Sequence, residues 1–154
     1  MSSPESSSEN HWPGERLGLP DAGPRSVGRV GRRIVALGID WIVAYVISIA
    51  FFRTTVDADL ADAIGSLAIL FSTDGFITLA IFAVLQYLFQ IVTNGSLGHL
   101  IMGMRVVPVS GGYLGFWRPL VRTLLLCLAI PALIWDVDQR GLHDKAAGTV
   151  LVRV

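Results

Sequence analysis

The sequence predicts an all-α membrane protein of about three transmembrane or membrane-embedded helices, with short β-type segments near 105–109 and 149–154. Three observations carry that prediction. The chain is 53% hydrophobic with a mean hydropathy of +0.61, too apolar for an ordinary soluble domain of 154 residues. Its apolar residues gather into three long runs, near 34–52, 76–92 and 120–135. Its charges are sorted between those runs, although the formal net charge is zero. A zero balance gives no basic field for nucleic acid, so no nucleic-acid partner is expected. A single cysteine, Cys127, excludes an internal disulfide and a paired-cysteine metal or redox centre.

Residues 1–28 are rich in Ser, Pro, Gly and Glu and hold no apolar core, which predicts a disordered tail and argues against a secretory signal. Residues 29–154 form the membrane domain. Arg16, Arg25, Arg29, Arg32 and Arg33 all precede the first run, so the positive-inside rule puts the N-terminus in the cytoplasm. The expected location is the cell membrane, crossed more than once.

The first run, Gly31 to Phe52, holds one ionisable residue beyond its opening arginines: Asp40. At ~1.5 Å per residue the run is long enough for a hydrocarbon layer of ~30 Å. A carboxylate inside such a helix costs about 2.5–3.5 kcal/mol on insertion scales, so it needs a partner or a task. Asp57, Asp59, Asp62 and Asp74 then mark an external loop. Its apolar piece, within residues 58–72, reads as a surface helix or as the tilted start of the next span.

The second run, Phe76 to Val92, closes on the turn signal Thr93-Asn94-Gly95. Gln86 and Gln90 lie four apart and share one helix face. Counted from the cytoplasmic end, Gln86 and Asp40 both sit ~10 Å deep. The two glutamines either hydrogen-bond neighbouring helices or line a functional polar pocket. Residues 95–119 carry only positive charges and are too long for an unstructured connection. They read as a short interfacial helix, an edge strand limited by Pro108, and a turn at Gly111-Gly112 flanked by Tyr113, Phe116 and Trp117.

The third run, Leu120 to Trp135, has Arg122 near its start and Pro131 deep inside. A kinked span and a hairpin broken at Pro131 are both admissible. The break agrees with a cytoplasmic C-terminus, because Thr149 to Val154 is the natural pairing mate of Arg105 to Val109. Asp136, Asp138, His143 and Asp144 lack metal-site spacing and read as polar turns.

Four ordered blocks resemble the RDD family of small multi-pass membrane proteins. They are Arg33-x-x-Ala36-x-x-x-Asp40, Gly95-Ser96-Leu97-Gly98 leading to Gly103-Met104-Arg105-Val106-Val107, Arg118-x-x-x-Arg122, and Gly141-Leu142-His143-Asp144-Lys145-Ala146-Ala147-Gly148-Thr149. The one arginine and two aspartates of the family name fall on Arg33, Asp40 and Asp144. After Gly98, where the family commonly has lysine, this chain has His99. The resemblance implies membrane transport, in some members cation/proton exchange, or assistance to other membrane complexes.

Together these readings give a candidate polar cluster of Arg33, Asp40, Gln86, Gln90, Arg122 and Asp144, in which Arg122 is the expected partner of Asp40. The expected function is transport of a small ion or solute through that cluster. The alternative is a non-catalytic assembly or scaffold factor. No enzyme activity, metal or cofactor is expected. The expected partners are the lipid bilayer and either a second copy of the chain or other membrane proteins.

Overall fold

A computed structural model describes residues 11–128 and 139–154. Two helices are long and apolar enough to cross a membrane: α1, Val30–Phe51, and α3, Gly75–Thr93. They pack against each other and run in opposite directions. Their buried stripes are polar. On α1 the stripe is Arg33, Ala36, Asp40, Ala44 and Ser48, and on α3 it is Thr78, Phe82, Gln86 and Gln90. The spacing of three and four places each stripe on one helix face. The opposite faces present Ile34, Ile42, Val46, Phe76 and Val92 outward, with Phe76 84% exposed. A water-soluble helix has the reverse arrangement, apolar in and polar out. Phe82 fills the middle of the interface and stacks on Trp41, with ring centroids 4.5 Å apart.

Between these helices, α2 (Ala58–Ile64) and a 3-10 turn (Gly65–Phe71) form a separate surface element. The tilted-start alternative for this segment is therefore not realised. Asp57 and Asp74 cap the helices that follow them: Asp57 accepts from the amides of Asp59 and Leu60, Asp74 from those of Phe76 and Ile77. Asn94 ends α3 in the left-handed conformation, as the turn signal implies.

The short helix α4 (Leu97–Ile101) follows, then β1 (Met104–Pro108) and α5 (Trp117–Cys127). α6 (Leu142–Ala146) leads into β2 (Thr149–Arg153). The two strands pair antiparallel, with Val106 opposite Leu151. Both expected β-type segments thus exist and pair with each other. Met104, Val106, Leu114 and Leu151 join Ala36 of α1 in one apolar core. That core ties the C-terminal strand to the end of the molecule where α1 begins.

Two expectations need correction or lie beyond the described residues. Residues 11–28, expected as disordered tail, include a segment docked on β2. The amides of Arg25 and Gly28 donate to Arg153 and Leu151, Arg153 donates back to Ser26, and Val27 packs with Val150 and Val152. Local composition hides this, because the backbone partners lie more than a hundred residues away. Of the expected third span, 120–135, the helix α5 is described to Cys127. Pro131, Asp136 and Asp138 lie outside the described residues.

Candidate functional site

The six candidate residues fall into one connected network at the end where α1 begins and α3 finishes. Asp40, on α1, accepts three hydrogen bonds. Gln86 Nε2 donates to Oδ2 at 2.8 Å, Ser96 Oγ donates to Oδ2 at 2.5 Å, and the Gly98 amide donates to Oδ1 at 2.7 Å. The matched depths of Asp40 and Gln86 in the sequence thus correspond to direct contact. Gln90 Nε2 donates to Gln86 Oε1 at 3.2 Å, and Arg122 Nε donates to Gln90 Oε1 at 2.9 Å. The chain of bonds runs from Asp40 through both glutamines to Arg122.

The expected Asp40–Arg122 pair is not formed. Arg122 instead faces Asp144, which is fully buried and also takes Arg33 Nη1 at 2.6 Å. Arg122 Nη1 further donates to Thr149 Oγ1 at 2.9 Å, and Arg33 Nε donates to the Gly28 carbonyl at 2.8 Å. His143 Nε2 lies 3.4 Å from Asp144 Oδ1. One carboxylate between two guanidiniums ties α1, α5 and α6 together across 111 residues of sequence. The two aspartates are therefore held in opposite ways. Asp144 has cations, and Asp40 has neutral donors, with no ion pair among the described residues.

Sequence reasoning missed Ser96, Gly98 and His99 as neighbours of Asp40. Ser96 caps α4 and forms a capping box in which His99 takes the place usual for Glu or Gln. The Ser96 amide donates to His99 Nδ1 at 3.1 Å, while Ser96 Oγ lies 2.8 Å from that nitrogen. The Ser-x-x-His spacing before a helix was the available signal. Gly98 has a second requirement: a Cβ there would overlap the Ala36 carbonyl of α1. Only glycine lets α4 approach closely enough for its amide to reach Asp40.

Burial holds the His99 imidazole well below its ordinary range, and the positive charges of Arg122 and Arg33 and the nearby His143 push the same way. His99 is accordingly neutral at pH 7. Beside the network lies a cavity of ≈ 70 Å³, lined by Arg33, Asp40, Gln86, His99, Arg122 and Asp144 together with the apolar side chains of Leu37 and Leu126. With a water's share of liquid volume at about 30 Å³, it has room for about two water molecules.

At the opposite end of the α1–α3 pair the polar contacts are made by hydroxyls. Thr78 Oγ1 donates to Ser48 Oγ at 3.0 Å, and Thr73 contacts both.

Apolar outer surfaces, a buried polar stripe and helices of spanning length are the features of a small membrane protein. Residues 27–148 match the RDD family, and the chain belongs to that family of small membrane proteins. Comparison with curated proteins and with solved structures finds no match.

Proposed function

We propose that this protein carries a small cation across the cell membrane in exchange for a proton, with Asp40 as the exchangeable carboxylate. In this reading it crosses the membrane more than once, with its N-terminus in the cytoplasm. The observation that carries the reading is the contrast between the two acids. Protonating a carboxylate clamped by two arginines would strand both buried cations, whereas one held by a hydroxyl, an amide and a glutamine can lose or gain a proton without doing so. Asp40 also borders the cavity, where a water or a small ion has space beside it. A second copy of the chain would supply further helices for a pathway. Nothing in the reading calls for covalent chemistry: Ser96 lies between the acid and the imidazole, whereas a serine nucleophile needs the imidazole in the middle.

A second reading is a non-catalytic assembly factor for other membrane proteins. The Arg33–Asp144–Arg122 clamp supports it as a device that fixes helix order, and the exposed Tyr113, Phe116 and Trp117 offer a docking edge. Purified protein in liposomes with a trapped pH indicator separates the two. A gradient of sodium or potassium is expected to change the internal pH in protein-containing vesicles and to leave empty ones unaffected. No cation-dependent pH change would overturn the exchange reading in favour of assembly.

A further inference from the structure

We propose that Ser96 and His99 form a proton relay linking Asp40 to the face of the protein that carries α4. The proposal rests on the reading of Asp40 as an exchangeable carboxylate and names the route its proton takes. Asp40 and Ser96 are buried, while His99 is only partly so. Ser96 Oγ stands between the other two, 2.5 Å from Asp40 Oδ2 and 2.8 Å from His99 Nδ1. A hydroxyl donates one proton and accepts others, so it can receive from one side while giving to the other.

The step balances. A proton binds His99 Nε2, the Nδ1–H bond breaks as that proton passes to Ser96 Oγ, and the Ser96 Oγ–H proton moves to Asp40 Oδ2. Serine ends unchanged, the imidazole ends neutral in its other tautomer, and Asp40 ends as the acid. Run in reverse, the same steps empty Asp40. The ring alternates between tautomers: with Nδ1 free of hydrogen, as after loading, it accepts the Ser96 amide in the capping box, and with Nδ1 protonated, as before loading, it releases that amide and donates to Ser96 Oγ.

Among the described residues, the charged and titratable groups facing the relay are Arg33 of α1, Arg122 of α5, and His143 and Asp144 of α6, while α3 contributes the neutral Gln86 and Gln90. The two guanidiniums disfavour an imidazolium at His99, so a proton passes through that ring and does not rest on it. Gln86 and Gln90, whose amides do not exchange protons readily, hold Asp40 in place on its other side.

The test follows the Asp40 carboxyl band by time-resolved infrared spectroscopy of the full chain in liposomes after pH steps spanning the range in which the protein stays folded. Asp40→Asn assigns the band. His99→Asn keeps an acceptor for the Ser96 amide but cannot relay a proton, and Ser96→Ala removes the bridging hydroxyl. Both are expected to slow protonation of Asp40 by about 10²-fold, with its final extent unchanged in His99→Asn and increased in Ser96→Ala, which takes a hydrogen bond from the carboxylate. Ser96→Thr, which keeps the hydroxyl, is expected to match the wild-type rate. Wild-type rates in both His99→Asn and Ser96→Ala would overturn the relay alone, because water in the cavity would then reach Asp40 directly. A wild-type band that never changes with pH would overturn both the relay and the exchange reading.

Discussion

The two ends of the α1–α3 pair meet the same packing problem with different chemistry. At one end Ser48, Thr73 and Thr78 exchange hydroxyl hydrogen bonds. At the other, two aspartates, two arginines, two histidines and Gln86 line a cavity, and Gln90 joins Gln86 to Arg122. Hydroxyl contacts between membrane helices contribute about 0.6 kcal/mol each and ask little in desolvation. Buried charges cost several kcal/mol per ion before pairing returns any of it. The hydroxyl end shows that holding these helices together does not require charge. The two acids at the charged end divide by kind of partner: Asp144 is clamped by Arg33 and Arg122, whereas Asp40 accepts only from neutral donors among the described residues. The proposed exchange rests on that division.

The largest expected effect tests the fastening half of that division. Asp144→Ala leaves Arg33 and Arg122 buried without their carboxylate and is expected to destabilise the protein by about 3–5 kcal/mol. Thermal unfolding in detergent and the yield of monodisperse protein report it directly. Wild-type stability in this variant would break the comparison, since Asp144 would then fasten nothing.

A smaller effect is expected from His99. Its folded-state value lies well below the ordinary 6.5, so below that pH the unfolded chain takes up a proton that the folded chain refuses. Stability contributed by the neutral, partly buried ring is thus present above about 6.5 and is lost as pH falls, by at most about 1.4 kcal/mol per pH unit for one proton. Unfolding measured against pH is expected to show this slope in wild type and a flatter one in His99→Asn. Equal slopes would mean that His99 is solvated enough to titrate normally.

Two of the three expected spans were legible from hydropathy and length, because the runs that form α1 and α3 needed only local sequence to declare themselves. The polar stripe was legible in part. Asp40 and Gln86 met as their equal depths required, since two antiparallel helices of known ends fix which residues lie level. The partner of Arg122 was not legible. Asp40 was the only acid within the apolar runs, whereas Asp144 sat in a polar stretch that read as a turn, and only the β1–β2 pairing brings α6 back against α5. Gly98 was quoted as part of a motif, yet its role depends on a close approach to Ala36 that no linear pattern encodes. The hydroxyl end escaped notice because serine and threonine barely perturb hydropathy.

The most direct measurement compares Asp40→Asn with Ser48→Ala in the liposome assay, each at matched protein density and with its thermal stability recorded. Both are expected to fold, the second losing about 0.6 kcal/mol. Ser48→Ala should exchange cations for protons at the wild-type rate, and Asp40→Asn should not exchange them at all. Wild-type exchange by a folded Asp40→Asn would contradict the account.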